Sequence, residues 1–233
     1  MKTTKPTTPV PKAVKPLWTE YMVRWTFLTK LCGSIPANPD MVKSWLEARQ
    51  PAVKPAGAKS ITELKEEVIA SLLEGDDVPQ TLLRFQREAG VLSMRAATVR
   101  AHIKDCARVL SAQFIDKVQG ERAFSTRVIN GVYPDETQYW LPVRRPDGSP
   151  VREADGVMDK AVHARGPRGE PLNCLKSFEY VEPAMLIFRL KVLGASVAEE
   201  DLRTLFLYGG VHGYAGERGD GEGKYTCELI RTE

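Results

Sequence analysis

The sequence lacks any apolar run that approaches the roughly 20 residues of a membrane-spanning helix. Its opening stretch, MKTTKPTTPVPKAVKP, has lysines but no apolar segment of the kind that a secretory signal requires. Proline, threonine and lysine cannot bury a core, so residues 1–16 are predicted to form a disordered or extended arm. These absences favour a cytoplasmic protein with no membrane partner.

Metal ligands are also scarce and scattered. The chain has four cysteines and three histidines, and none of them pairs at the spacing that a zinc site needs. Each cysteine adjoins apolar residues and lies far from the others, which is typical of buried thiols in a reducing compartment. The sequence therefore predicts neither a metal site nor a cofactor.

The net charge is small but unevenly distributed. A formal charge of +3 at pH 7 excludes a uniformly basic protein. Residues 1–60 carry 10 basic and 3 acidic side chains, and residues 95–130 carry 7 and 3. Residues 61–94 carry 3 basic and 7 acidic side chains, and residues 195–233 carry 4 and 8. This distribution predicts a basic face on one part of the molecule.

Two segments alternate apolar and polar residues with the two-residue period of a half-buried strand. In EYMVRWTFLTKL the apolar set includes Val23, Trp25 and Phe27, and in AMLIFRLKVLG it includes Phe188 and Leu190. A further strand is predicted in KYTCELI, near the end of the chain.

A helix is predicted after each of the first two strands. Asn38 caps a helix that begins at Pro39, and Ser196 with Glu199 forms a capping box for a helix that ends at Gly209. Strand, helix, glycine-rich connection and strand make half of a βαββαβ unit, and the opening strand and helix supply the matching part. The predicted fold class is α+β with a ferredoxin-like core.

Two insertions into this core are predicted, within a single domain over residues 17–233. Residues 50–90 are predicted to be a helical insertion that includes a short helix from Pro79 to Ala89. Residues 123–176, which contain FSTRVIN and TQYWLPV, are predicted to be strands and long loops that form a protruding β-hairpin or loop region.

The segment VRAHIKDCARVL is predicted to be a helix with an apolar side and a basic side. The apolar stripe consists of Val99, Ile103, Cys106 and Leu110. Arg100, Lys104 and Arg108 fall on the other stripe, and Arg95 lies just before the helix. A solvated surface is the simplest interpretation, but the scarcity of acids near these cations favours a surface that binds a polyanion.

Seven of the 18 glycines fall between Gly209 and Gly223. This segment is not a dinucleotide fingerprint, which runs from a strand into the N-terminus of a helix. Here the glycines follow a helix C-terminus, where the dipole is negative, and acidic residues lie among them. The segment is predicted to be a joint whose backbone needs positive φ or a very close approach to a neighbour.

The stretch GGVHGYAGERGDGEGKYTCELI resembles the C-terminal glycine-rich signature of the RAMP superfamily. These are ferredoxin-like, RRM-like RNA-binding subunits of CRISPR effector complexes and their processing relatives. Over most of its length the chain also resembles a group of bacteriophage and prophage proteins, in GSIPANPDMVKSWLEAR, VRAHIKDCARVL and HARGPRGEPLNCLKSFEYVEP. The resemblance implies a RAMP-like domain encoded by a phage and acting in the cytoplasm of a bacterial host cell.

The resemblance also implies positions for bound RNA. It places a glycine-rich loop beside the RNA path, made of Gly219, Gly221, Gly223, Lys224 and Tyr225. It likens the helix that holds Arg100 to the basic helix that backbone-type RAMP subunits lay along guide RNA. The favoured hypothesis is a non-catalytic subunit that binds RNA or another single-stranded nucleic acid and forms a homo-oligomer or a multisubunit complex.

The predicted contacts to nucleic acid are mostly arginines that would meet phosphates. They are Arg95, Arg100, Lys104, Arg108, Arg144, Arg145, Arg165 and Arg168. Tyr139 and Trp140 are aromatic residues that could stack on bases, although a core position is an equally good interpretation of Trp140.

Two alternatives belong to other classes of function. One is a phage structural or assembly protein that forms a ring, a filament or a virion component through residues 1–16 and 123–176. The other is a metal-independent endoribonuclease, which would need a general base and a cation near the scissile phosphate. The weak candidates for those roles are His163, His212, Tyr214 and Lys224.

Overall fold

The computed structural model describes residues 16–36, 82–111, 123–135, 138–165, 171–194 and 196–232. Three α-helices lie in these ranges: α1 (Ala96–Leu110), α2 (Phe124–Gly131) and α3 (Glu199–His212). None of the three is long and apolar enough to cross a membrane. The strands of the central sheet are β1 (Trp18–Phe27), β7 (Val132–Pro134), β11 (Met185–Leu193) and β12 (Tyr225–Thr232).

The central sheet has the strand order β12-β1-β11-β7, and all its neighbouring strands are antiparallel. Along the chain the elements follow the order β1, α1 and α2, β7, β11, α3 and β12. This is the βαββαβ succession of a ferredoxin-like core, so the predicted fold class is confirmed. Helix α1 occupies the first helical position, whereas the helix predicted to begin at Pro39 lies outside the described residues.

One face of the central sheet forms the core beneath the helices. On β1 the alternate residues Val23, Trp25 and Phe27 are buried, as the two-residue period predicts. The Trp25 ring stacks on Tyr225 of β12 at a centroid distance of 4.3 Å and packs edge-on against Phe188 of β11 at 4.9 Å. Trp25 therefore joins three neighbouring strands of the sheet.

The remaining described strands form two other sheets, one of five strands and one of three. The larger contains β2 (Leu31–Cys32), β3 (Ile35–Pro36), β4 (Leu82–Arg84), β9 (Gly156–Arg165) and β10 (Pro171–Val181). Its order is β2-β10-β4-β3, and β9 pairs with β10 as a long antiparallel hairpin. The smaller contains β5 (Gln86–Glu88), β6 (Val91–Arg95) and β8 (Trp140–Pro142), in the order β5-β6-β8.

The short helix predicted from Pro79 to Ala89 is wrong over its described part, where β4 and β5 lie instead. Strands β5 and β6 are joined by Ala89 and Gly90, whose φ angles are 49° and 73°. Two residues with positive φ make the tight turn that suits a β-hairpin. Alanine rarely adopts this conformation, so the sequence carried no clear turn signal.

The extended conformation predicted for FSTRVIN is also wrong, because these residues form α2. Three β-branched residues in the segment favour a strand. Phe124, Val128 and Gly131 are nevertheless buried at spacings of four and three residues, which is the period of a helix. Packing of α2 against α1 overrides the local preference. The strand predicted in TQYWLPV is confirmed by β8.

The ends of α3 differ from those predicted. The helix begins at Glu199 with Ala198 as its N-cap, so the predicted capping box of Ser196 and Glu199 is wrong. The helix also continues through Gly209, where it was predicted to stop, and ends at Gly213 with a φ of 83°. The true stop is therefore the first glycine that adopts a positive φ.

A close approach between α3 and β12 explains the two glycines inside the helix. A methyl group on Gly209 would overlap the hydroxyl of Tyr225, and one on Gly210 would overlap the carbonyl oxygen of the same residue. In the loop that follows, positive φ occurs at Gly213, Gly221 and Gly223. The close approach to a neighbour and the positive φ are the two reasons for glycine that the sequence predicts in this segment.

Replacing Gly210 by alanine is expected to destabilise the fold. Glycine to alanine inside a helix normally stabilises by about 1 kcal/mol. Here the added methyl group meets backbone, which cannot move aside, and we expect a net loss of about 1–3 kcal/mol in the free energy of unfolding, measured with urea. Gly219→Ala is the matched control, because the same methyl group would meet open space there. Equal stability of the two variants would contradict the close approach.

Candidate nucleic-acid interface

Helix α1 has the two-sided character that the sequence predicts. Its buried residues are Ala96, Val99, His102, Ile103, Cys106, Ala107 and Leu110. The helix begins after Arg95, whose carbonyl oxygen accepts a hydrogen bond from Thr98 Oγ1 at 2.6 Å. No acidic residue lies in the first turn, and Arg108 lies in the last. The buried face fixes the rotation of the helix, so the basic stripe lies outside the core, where Arg108 is exposed and Arg100 and Lys104 are partly exposed.

The basic side of α1 concentrates like charge. Burial lowers the pKa of Lys104, and the nearby guanidinium groups of Arg100 and Arg108 lower it further. Among the residues that the structure describes, no carboxylate lies within ion-pair distance of Lys104 or Arg108. An anion placed along this stripe would relieve the repulsion among the cations.

Arg100 contacts Tyr133, one ring of an aromatic pair that joins the edge strand β7 to β1. Its guanidinium lies over the ring of Tyr133 on β7, 4.3 Å from the centroid. Tyr133 in turn packs perpendicular to Trp18, the first residue of β1, at a centroid distance of 5.9 Å. Sequence reasoning missed both rings. Trp18 and the exposed Arg24 lie an even number of residues apart on β1, so the alternation of the strand places both on its outward face. This alternation is the feature of the sequence that could have identified Trp18.

A second arginine and aromatic cluster lies where α1 begins. Arg95 Nη2 donates a 2.8 Å hydrogen bond to the hydroxyl of Tyr139, and its guanidinium lies 5.2 Å from the centre of that ring. Tyr139 packs edge-on against Trp140 at 4.9 Å. Tyr139 is half exposed, whereas Trp140 is only partly exposed. Two of the predicted stacking residues thus lie beside a predicted phosphate contact.

Of the predicted loop arginines, the structure describes the side-chain contacts of Arg144 and Arg145, and these contacts are local. Arg144 donates to the carbonyl oxygen of Gly148 at 2.7 Å. Arg145 pairs with Asp155 at 2.9 Å, and this ion pair raises the pKa of the arginine and lowers that of the aspartate. These two arginines stabilise the turn that contains them. Arg165 is the last residue of β9, and Arg168 lies outside the described residues.

The acidic residues of the glycine-rich segment are paired. Glu217, which is almost buried, accepts from Lys160 at 2.9 Å and from Lys176 at 3.2 Å, both on the β9 and β10 hairpin. Asp220 also pairs with Lys160, which lowers the pKa of this carboxyl. Glu222 accepts a 2.8 Å hydrogen bond from the backbone N–H of Lys30. The negative charge of the segment is therefore largely neutralised within the fold.

The glycine-rich segment contacts α1 through a charged residue. Arg218 pairs with Asp105 of α1 at 3.0 Å. Gly219 and Gly221 lie beyond this contact, and Gly223 packs against Tyr214. The predicted loop residue Lys224 is exposed, whereas Tyr225 is buried beneath α3.

Contacts are described for three of the four weak catalytic candidates, and each contact is with a different residue. His212 Nε2 lies 3.5 Å from the Asp105 carboxylate. Tyr214 is buried and hydrogen-bonded to Thr98 at 2.5 Å, and burial raises its pKa. Lys224 is held elsewhere, with its backbone N–H donating to Thr29. His163 lies on β9. Within the described ranges, no group of three or more histidine, cysteine, aspartate or glutamate side chains is arranged to hold a metal ion.

A buried polar contact anchors α1 to the sheet. His102 is 4% exposed and forms a 3.0 Å hydrogen bond with the hydroxyl of Tyr225. Its pKa is lowered to about 3, first by burial and then by the nearby His212 and Arg218, with Asp105 acting in the opposite direction. His102 is therefore neutral at pH 7 and adds no charge to the basic side of the helix.

An apolar groove of about 670 Å³ lies between α3 and β12, on the other side of α3 from α1. Leu28, Leu207 and Val211 line it and are 62%, 74% and 70% exposed. Arg203 lies at its rim and donates to the carbonyl oxygen of Leu229 on the edge strand β12 at 3.2 Å. This contact occupies one of the free backbone acceptors of the edge.

No family model and no curated protein matches the chain. Among solved structures, it is similar to a chain of the Type III-B Cmr-beta bound to cognate target RNA, with 10% sequence identity and a TM-score of 0.48 over 92% of this chain. It is also similar to Cmr6 from Pyrococcus furiosus, with 10% identity and a TM-score of 0.43 over 92% of this chain and 99% of that one. The chain spans 61% of the length of the first of these structures.

The lowered pKa of His102 predicts a loss of stability in mild acid. The unfolded chain takes up a proton on this histidine as the pH falls below about 6.5, whereas the folded protein resists protonation until about pH 3. The contribution of His102 is therefore complete above pH 6.5 and is lost as the pH falls through that window. Between pH 7 and pH 5 the expected loss is about 2 kcal/mol.

His102→Gln keeps a partner for the Tyr225 hydroxyl but does not titrate. Urea unfolding of both proteins at pH 7, 6 and 5 should show the variant losing less stability on acidification, by about 2 kcal/mol across the range. The same dependence on pH in both proteins would show that His102 is not a buried neutral histidine.

Proposed function

We propose that the protein is a non-catalytic subunit that binds RNA or another single-stranded nucleic acid, with the basic side of α1 as its principal contact. Lys104 and Arg108 are the central phosphate contacts, and Arg100 and Arg95 extend the surface toward the N-terminus of the helix. Most of these contacts would be to phosphates, which hold a strand in place without reading its sequence.

The observation that carries this proposal is the charge of Lys104 and Arg108, which have no carboxylate within ion-pair distance among the described residues. If the cations served only to stabilise the surface of the helix, acidic residues would be interleaved with them. Arg203 and Glu199, which pair one turn apart on α3, show that arrangement. On α1 the one acidic residue, Asp105, is instead engaged by Arg218. Lys104 and Arg108 flank it in the sequence, and Arg108 is exposed. Like charges left together in this way are the electrostatic footprint of a polyanion site.

RNA as the ligand and a place in a multisubunit complex come from the RAMP resemblance of the glycine-rich segment. A bacteriophage origin comes from the separate resemblance of three other segments to bacteriophage and prophage proteins. Cytoplasmic action in a bacterial host has the same source. The pairing of Glu217 with Lys160 and Lys176 supports this proposal, because it removes negative charge that would repel a strand near α1.

Self-association is the second part of the proposal, and the groove between α3 and β12 is its site. Leu207 and Val211 are one helical turn apart and largely exposed, and Leu28 continues the same apolar surface. Neighbouring apolar side chains this exposed are more typical of an interface than of a monomer surface. The groove lies away from the basic side of α1, so a second subunit and a strand could bind together.

Lys104→Glu with Arg108→Glu is expected to weaken binding to single-stranded RNA and to change its salt dependence. Removing two phosphate contacts should lower the slope of log affinity against log salt by roughly 1.4, measured by fluorescence anisotropy from 50 to 200 mM salt. The control is Arg152→Glu with Arg189→Glu, which makes the same change of charge at two exposed arginines away from this helix face. Unchanged affinity of the α1 variant at low salt would contradict the proposed site.

Leu207→Glu with Val211→Glu is expected to reduce the mass of the purified assembly, since four buried glutamates would have to be desolvated across an interface between two copies. Light scattering gives the mass, and the ratio of absorbance at 260 and 280 nm reports bound nucleic acid. An unchanged mass would contradict the groove as the interface. A large assembly of the wild-type protein that never takes up RNA would favour the structural or assembly alternative.

A further inference from the structure

We propose that Trp18, held by Tyr133 and Arg100, is a base-stacking subsite, and that the strand bound along α1 therefore carries unpaired bases. This inference rests on the proposed function, because the phosphates of the same strand would lie on the basic side of α1. It adds a contact that depends on an unpaired base of the strand, whereas the contacts on α1 depend on the charge of its phosphates.

The first argument is the exposure of the indole. Trp18 is 37% exposed at the start of β1, whereas Trp25 on the same strand is 0% exposed. A tryptophan that served only the core would be buried as Trp25 is. Trp18 instead presents part of an apolar aromatic surface to solvent, next to a polar rim.

The second argument is the way the ring is held. Trp18 and Tyr133 are perpendicular, with an interplanar angle of 90° and a centroid distance of 5.9 Å. The perpendicular contact supports the indole without stacking another ring face to face on it. Tyr133 is itself clamped by the Arg100 guanidinium at 4.3 Å, so the pair is ordered before any ligand binds.

The third argument is continuity with the cations. Arg100 lies on the same stripe as Lys104, about 6 Å away along the helix axis. It therefore connects the aromatic pair to the proposed phosphate contacts. On the other side, Lys191 lies directly across from Tyr133 in the strand register and pairs with Asp135 at 3.5 Å. The Asp135 carboxylate is thus already paired with a cation.

Stacking on an exposed ring requires a base that is free of its own neighbours. In a duplex the faces of the bases are covered by adjacent base pairs, whereas every base of a single strand can present a face to an aromatic residue. The subsite therefore selects single-stranded nucleic acid and tolerates any sequence.

The test compares two probes with the same phosphates: an oligouridylate of about 12 nucleotides and an abasic strand of equal length. The wild-type protein is expected to bind the oligouridylate about 5- to 20-fold more tightly than the abasic strand. Trp18→Leu keeps an apolar side chain but removes the ring, and it should abolish this preference. Trp18→Phe should retain most of it, and Val157→Ala, at an exposed apolar residue on β9, should leave it intact. The salt slope should be the same in all four proteins, since no cation is changed.

The outcomes separate this inference from the function on which it rests. If the wild-type protein binds both probes equally, or if Trp18→Leu keeps the full preference, the stacking subsite is wrong while the phosphate contacts of α1 stand. If the wild-type protein binds neither probe at low salt, the proposed function is wrong and the subsite with it.

Discussion

Helix α3 lies so close to strand β12 that two successive helical positions, Gly209 and Gly210, leave no room for a side chain. The contact is with one residue, Tyr225, whose hydroxyl faces the first glycine and whose carbonyl oxygen faces the second. A helix that approaches a strand this closely can neither slide nor rotate without a clash. The rest of the described core is arranged around this fixed tyrosine.

Helix α1 takes its position from the same residue. Tyr225 stacks on Trp25 in the sheet below and hydrogen-bonds to His102 of α1. A second polar contact, between Thr98 and Tyr214, ties the start of α1 to the loop that follows α3. Both contacts lie on the buried side of the helix, where hydrogen bonds are strong and their loss is costly. The basic side is left facing solvent because the other side is committed to the core.

The distribution of charge follows from these positions. The acids of the glycine-rich segment meet lysines of the β9 and β10 hairpin, and Arg218 meets the one acid of α1. Lys104 and Arg108 on the outer side of α1 therefore remain without a matching carboxylate among the described residues, and Arg100 on the same stripe lies over the Tyr133 ring at the edge of the sheet. A cationic stripe bordered by partly exposed rings suits a flexible polyanion that can offer both phosphates and bases.

The amino-acid order by itself determined which residues face inward on β1 and β11, the apolar stripe of α1 and the need for glycine between α3 and β12. Periodicity and the steric limits of the backbone are local properties, so one sequence is enough to reveal them. Local signals failed where a distant partner decided the outcome: the Ala89 and Gly90 hairpin, the helical state of FSTRVIN and the length of α3. The candidate site divides in the same way. Its cations could be predicted as a stripe. The pairing of Glu217 with Lys160 and the contact of Trp18 with Tyr133, by contrast, join residues far apart in the chain. The pair of Arg145 with Asp155 is closer in sequence but depends on how the turn between them folds. Only tertiary structure decided those contacts, because an ion pair or a ring contact depends on where both partners come to lie.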